Sequence, residues 1–435
     1  MKIPYSKVPL AGNERKYINE VLASGWLTTS SRTYQFEKIF AGIVGAKYAC
    51  AVNSCTAALH LAVEAIGIKP GDKVLVPSMT FTSSAEVLRY IGADPVLLDV
   101  DYGTCLITPS ILKDAIKSHP DVKALILVHY GGQAAIMTTD DGEGILDICR
   151  ENNIRLIEDA AHAFPTKFGN KLVGSFGDIT CFSFYANKTI TTGEGGMLVT
   201  DIENIYKRAK IMRLHGIDRD IWNRFTSNKT SWEYDVIAPG FKYNMPDINA
   251  AIGLAQLEKA EYFRAERQRC AEFYLENLKN IPGIDLPVCR EKPENHAWHL
   301  FPVIIRPEAP VNRDEFIKLL SDKGIGTSVH YKPLHRMTYY STTYKLNTRD
   351  FPNTEKIWKG TVSLPIYPEL GNNELDCICS EIKSIFNIKI KNKILGTQLK
   401  DSRKRIWLSP PHLGNNEYNY IQDAFETNWV APHGP

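Results

Sequence analysis

Lys188 lies in CFSFYANKTITTGEGGM, after an apolar run and before Gly193, Gly195 and Gly196. An amine held at a strand end beside a bound aldehyde is what Schiff-base chemistry requires, and glycines let backbone approach a ligand closely. The same residues also fit a solvated loop lysine and a hairpin turn. Asp159 ends the apolar run IRLIED and is followed by Ala160, Ala161, His162 and Ala163. It offers a carboxylate with little bulk around it, the partner that keeps a ring nitrogen protonated so that the ring serves as an electron sink. His162 could then bond a phenolic oxygen or pack on the ring. In the plainer reading, Asp159 caps a helix and His162 is a first-turn residue. Asn53, Ser54, Cys55 and Thr56 open an apolar-periodic helix. Free N–H groups and the helix dipole make such a start an anion site, although capping alone explains one hydroxyl. Ser183 could add another. Phe81, in VPSMTFTSSA, could cover a planar group or simply fill core.

These residues need strands that end together. KVLVP (73–77), DPVLLDVD (94–101), ALILVHY (124–130) and IRLIED (154–159) are short and rich in Val, Ile and Leu, without alternation. That pattern suits strands of a parallel sheet buried on both faces. Helical patterns lie between them, at 56–66, 83–91, 108–118 and 144–152. Repeated strand–helix units imply an α/β fold with a doubly wound, mostly parallel sheet and a ligand crevice at the strands' C-terminal ends. Further strands are predicted near 180–185 and 195–200, then a long helical region over 247–280. A smaller α+β C-terminal domain follows, with a strand at 299–305, a helix at 313–323 and a strand-like stretch at 327–331. The expected divisions are 1–250 for the large domain with its N-terminal segment, 251–388 for the linking helix and small domain, 389–401 for a linker, and 402–435 for a tail.

Composition removes several classes of function. Of 435 residues, 44% are hydrophobic and 23% charged, which argues against wholesale disorder. Lys plus Arg number 51 against 49 acids, so there is no charge footprint for nucleic acid or an anionic membrane. The N-terminus lacks the apolar stretch of a secretory signal, and the apolar run at 48–68 carries Asn53, His60 and Glu64, so it reads as strand and helix rather than a membrane span. Nine scattered cysteines without a CxxC pair suit reduced thiols in a cytoplasm, and no metal is expected.

In order along the chain, NSCTAAL, PSMTF, EDAAHA, FSFYANKTITTGEGG and GFKYNMPDINAAIGLAQL resemble the DegT/DnrJ/StrS nucleotide-sugar aminotransferases, over residues 4–388. SGWLTT, HAWHLF, KGIGTSVHYKPLH and VSLPIYP extend the match. LHGIDRDIWNRF, VIAPGFKYNMPDINAA and HAWHLF look most like the branch that forms UDP-4-amino-4-deoxy-L-arabinose. The resemblance implies the aspartate-aminotransferase fold and pyridoxal 5′-phosphate (PLP), with pyridoxamine phosphate (PMP) as its amino form. Carried over by position, Lys188 would bear the cofactor and shuttle a proton, Asp159 would pair with the ring nitrogen, and His162 would bond the ring oxygen. Ser54, Cys55, Thr56 and Ser183 would hold the phosphate, Phe81 would cover the ring, and Asn244 would reach the phosphate of a neighbouring subunit in a homodimer. L-Glutamate, leaving as 2-oxoglutarate, would be the donor, and a 4-keto UDP- or dTDP-sugar the acceptor, for lipopolysaccharide or related glycans. Thr28, His215, Trp222, Arg224, Trp232, His330 and Tyr331 are substrate candidates. Ser30 departs from the glycine usual after SGWLTT. A sugar dehydratase would carry histidine in place of Lys188. An amino-acid aminotransferase would need a carboxylate-binding arginine, and Arg313, Arg336 and Arg349 sit in no such motif. A PLP-binding regulator is the non-enzymatic alternative.

The tail repeats the beginning. Residues 405–430 aligned on residues 2–27 without gaps match at Ile406, Ser409, Leu413, Asn416, Glu417, Tyr420, Ile421 and Trp429. The tail therefore reads as the opening segment of a second family member, without a lysine or phosphate motif of its own, either disordered or docked where an N-terminal segment packs; the plainer reading is an amphipathic C-terminal helix.

Overall fold

The computed structural model describes residues 2–218 and 234–395. Two helices, α1 (Glu14–Ser24) and α2 (Ser31–Val44), precede the sheet and end at Gly25 and Gly45. Those glycines have φ of 68° and 77°, the left-handed turn that closes a helix at little cost only without a Cβ. The strands of the large sheet are β1 (Tyr48–Val52), β2 (Lys73–Pro77), β3 (Asp94–Leu98), β4 (Ala124–Val128) and β5 (Arg155–Asp159). After a two-stranded hairpin, β6 (Lys167–Phe168) and β7 (Lys171–Leu172), come β8 (Ile179–Ser183) and β9 (Gly196–Thr200). The order is β1-β9-β8-β5-β4-β2-β3, and only β9 runs against its neighbours.

Helices α3 (Cys55–Ala65), α4 (Ser83–Tyr90), α5 (Pro109–Ser118), α6 (Ile145–Glu151) and α7 (Glu203–Met212) cover the sheet. Successive strand residues serve opposite layers. Val74, Val76, Ile126 and Ile157 pack with α3, whereas Leu75, Leu125, Leu127 and Leu156 pack with α5 and α6. Burial on both sides explains the unbroken apolar strands.

A second sheet, β10 (Ile284–Asp285), β11 (Phe301–Ile305) and β12 (Thr361–Leu364), is antiparallel and sits on its own apolar core with helices Ala260–Leu278, Arg313–Asp322 and Asn372–Leu395. The earliest residues, assigned from sequence to the large domain, join this smaller core. Ile3 is 1% exposed there and bridges Ile325. The helical region at 247–280 is two helices, Asp247–Leu257 and Ala260–Leu278, broken where Lys259 leaves helical geometry. Residues 327–331 are not a strand. Ser328 makes one bridge to Ser363, and the chain then turns away with Pro333, whose ring has no N–H for a ladder. The last helix runs on to Leu395, into the segment expected as a linker. The remaining linker, the tail, and Trp222, Arg224 and Trp232 lie outside the described residues. No helix among the described residues is long and apolar enough to cross a membrane.

Candidate functional site

Parallel strands β2, β4, β5 and β8 present their C-terminal ends to one cavity of about 470 Å³. Thr80 and Phe81 follow β2, Val128 ends β4, Asp159 ends β5 and Ser183 ends β8. Lys188 enters from the loop after β8, Cys55 and Thr56 from the start of α3, and His299, His330 and Tyr331 from segments flanking the small sheet. Of the residues assigned a cofactor role from sequence, all but Asn244 line this cavity.

Asp159 is buried, with Oδ2 accepting from Ser84 Oγ at 2.7 Å and Oδ1 from the Ala161 N–H at 3.1 Å. Burial raises its pKa above the usual carboxylate range, against those two hydrogen bonds and the Lys188 charge. Next to it, Glu158 is fully buried and takes three donors: His129 Nε2 at 2.8 Å, the Gly177 N–H at 2.7 Å and Thr180 Oγ1 at 2.9 Å. His129 Nδ1 accepts from the Ala135 N–H, which assigns the ring proton to Nε2. This network fixes the end of β5 and so the aim of Asp159. Glu158→Ala orphans all three donors and should destabilise the fold by about 3 kcal/mol or more. Denaturant titration checks this, and a loss below about 1 kcal/mol would contradict it.

Lys188 loses hydration in the cavity wall, which lowers its pKa from 10.5 to about 8; Cys55 and Asp159 oppose the shift. In the cofactor-free protein about one amine in ten is then neutral at pH 7, against about one in three thousand for an ordinary lysine. Labelling of Lys188 by an amine-reactive reagent should rise with pH and level off above about 8. A rise continuing past pH 10 would contradict the assignment.

His162 Nδ1 accepts from the Gly131 N–H at 3.3 Å, so its Nε2–H points to Tyr331 Oη, 2.8 Å away. Its ring lies 4.5 Å from that of His299. His330 Nδ1 pairs with Ser363 Oγ at 2.8 Å. Burial, reinforced by Lys188, holds all three imidazoles below their ordinary pKa, His330 at about 3. They form a neutral polar wall beside the lysine. Ser84, His299 and the Tyr331–His162 bond received no role from sequence. HAWHLF marked the place of His299 but not its function.

The residues fit PLP by observations independent of the motifs. Ser54 caps α3, its Oγ accepting from the Ala57 N–H at 3.1 Å, which leaves its own O–H free to donate. The N–H groups of Cys55 and Thr56, in the first turn, have no partner within their helix, where the dipole favours an anion. Burial pushes the Cys55 thiol far up, so this residue offers a backbone N–H rather than a thiolate. Gly196 closes the cradle, since a Cβ there would meet Ser54 C and O at 2.5 Å. Asn187, in the wall, has a buried Oδ1 without a hydrogen-bond partner. Phe81 is 56% exposed at the rim, its ring 5.9 Å from that of Tyr331.

Two substrate candidates lie away from this cavity. Thr28 is exposed in the loop before α2, and His215 is exposed with its N–H donating to the Phe241 carbonyl at 2.7 Å. Asn244 is there too, its amide 2.8 Å from Thr29 Oγ1. The backbone pairing of Asn53 and Val52 with residues 243–244 fixes this arrangement.

A lysine, a buried carboxylate and a helix start around one cavity suit a PLP-dependent enzyme. The chain belongs to the DegT/DnrJ/EryC1/StrS aminotransferase family, which it matches over residues 10–383. The spore coat polysaccharide biosynthesis protein SpsC of Bacillus subtilis is 42% identical over 386 residues, spanning 88% of this chain and 97% of that protein. Helicobacter pylori PseC, an aminotransferase involved in the biosynthesis of pseudoaminic acid, superposes with a TM-score of 0.81 at 26% identity, covering 89% and 100% of the two chains. Streptococcus pneumoniae Spr1654 in its PLP-form superposes with a TM-score of 0.79 at 27% identity, covering 90% and 99%, and it is also solved in a PMP-form. PLP is the cofactor of this family and of this chain.

Proposed function

We propose that the protein transfers the amino group of L-glutamate to the ketone of a nucleotide-linked keto sugar, with C4 of a UDP- or dTDP-sugar as the carbon aminated. The observation that carries the reading is Lys188 sharing one cavity with Asp159 and the start of α3. When bound, PLP supplies an aldehyde and an electron sink. Asp159, oriented by Ser84 and Ala161, holds the ring nitrogen protonated. The N–H groups of Cys55 and Thr56, with the Ser54 and Ser183 hydroxyls, would hold the phosphate, and Phe81 would cover the ring at the mouth. His162 stays neutral, and its Nε2–H, paired with Tyr331 Oη in the wall, would turn to the ring oxygen when PLP binds. Lys188 Nζ would anchor the cofactor and, as a free amine, would move the proton to and from the substrate carbon; its lowered pKa suits that task near neutrality.

The names of SpsC, a spore coat polysaccharide biosynthesis protein, and PseC, involved in the biosynthesis of pseudoaminic acid, support a sugar acceptor and a role in cell-surface glycans. Nine unpaired cysteines support a cytoplasmic setting. Arg336 is committed to Glu355, and Arg313 to Asp314 and the Trp358 carbonyl, which leaves both engaged away from a substrate carboxylate. Asn244, with Thr28 and His215 nearby, completes the site of a second copy in a homodimer. A coupled assay with UDP- and dTDP-linked keto sugars tests the acceptor: turnover only with amino-acid ketones would contradict it. Full activity in a monomer by sedimentation would contradict the shared site.

A further inference from the structure

The repeated tail acquires a physical meaning from what its first copy does. Residues 3–26 cross both parts of the molecule. Ile3 pairs through its backbone with Gly324 and Gly326, each at 2.8 Å. Asn13 Nδ2 donates to Glu258 Oε2 at 2.7 Å, and Tyr17 Oη donates to the same carboxylate. Glu14 is 1% exposed, accepts from Gln256 Nε2 at 2.6 Å and pairs with Lys259. α1 then packs along helix Asp247–Leu257.

The eight identities shared with the tail fall on Ile3, Ser6, Leu10, Asn13, Glu14, Tyr17, Ile18 and Trp26. Every one of these is buried or half-buried, and every exposed position in residues 2–27 differs in the tail. An amphipathic helix matched by accident would not reproduce one docking face, carboxylate and phenol included, while changing the whole outer face. Inward differences are few: Leu408 for Tyr5, Pro411 for Val8, His412 for Pro9 and Ala424 for Val21. Each alters or shrinks a side chain that packs inward, so the tail should bind less tightly than the first copy.

We propose that residues 405–430 are a second ligand for the groove that holds residues 3–26, exchanging with that segment on helix Asp247–Leu257, Glu258, Lys259 and the edge at Gly324. The exchange reaches the active site. The Tyr5 ring lies 5.8 Å from that of His330, which is bonded to Ser363. The tail puts Leu408 at that position, so the docked tail leaves His330 without the phenol.

Carbodiimide coupling of carboxylates to Lys259, read by peptide mass, tests the exchange in the full chain. The unsubstituted protein should yield a Glu14–Lys259 link. In Glu14→Ala/Tyr17→Ala a Glu417–Lys259 link should replace it, and adding Glu417→Gln should remove that product. Mixing ¹⁵N-labelled and unlabelled chains then tells a tail on its own body from one on a second copy. Lys259 left uncoupled in the double variant, or coupled only to carboxylates of residues 2–27, would overturn the proposal. Should the double variant fail to fold, Glu14→Gln with the same readout decides between the same outcomes.

Discussion

Replacing Lys188 by alanine should lower kcat by about 10³-fold or more while leaving the protein folded and able to hold PLP. The side chain stands in the wall of the cavity, not in a packed core, so its removal opens space without undoing a layer of the sheet. Cofactor retention rests on other groups, the N–H groups at the start of α3 and the Asp159 carboxylate. What disappears is the one amine among the described residues that line the cavity, and with it both the covalent anchor and the proton carrier. Added small amines should restore part of the rate, because they replace the base without its tether. A variant within about tenfold of the parent rate would place the chemistry on another residue.

Asp159→Asn should be the second largest effect, a fall of about 10²- to 10⁴-fold with weaker retention of PLP. The substitution isolates charge from shape. Asparagine can keep both local bonds, its Oδ1 accepting from the Ala161 N–H and its amide donating to Ser84 Oγ. Ser84 then turns its proton to Thr80 Oγ1, 2.8 Å away. The fold therefore tolerates the change, and the loss reports the missing negative charge opposite a protonated ring nitrogen. Activity reduced by less than about tenfold would mean that the carboxylate only braces the end of β5.

The parts of the site legible in the sequence were those that one short segment supplies by itself. Lys188 between an apolar strand and glycines, Asp159 at a strand end followed by alanines, and hydroxyl residues at a helix start each combine a chemical group with the local structure that presents it. The doubly wound sheet was legible because burial on both faces leaves apolar runs that alternation would otherwise break. Contacts made in three dimensions were not. Ser84 reaches Asp159 across 75 positions of sequence, and Tyr331 reaches His162 across 169. Residues 327–331 have strand-like composition, yet they make one bridge before Pro333, and His330 and Tyr331 line the cavity instead. Ser54 serves two readings at once: its oxygen caps α3, and its O–H still faces the cavity lining as a phosphate donor candidate. Thr28, His215 and Tyr331 are candidates for one substrate pocket by sequence, whereas only Tyr331 lines the cavity. The repeat was plain in the sequence, but the reason for its pattern of identities needed the burial of the first copy.

The most direct measurement follows the visible absorbance of the PLP-loaded enzyme on addition of L-glutamate alone, with 2-oxoglutarate quantified in the same sample. The half-reaction should bleach the lysine-bound cofactor band and release about one keto acid per site, with the band restored by a keto nucleotide sugar but not by buffer. A band unchanged by glutamate and by other amino donors, in protein that retains PLP on Lys188, would contradict an aminotransferase.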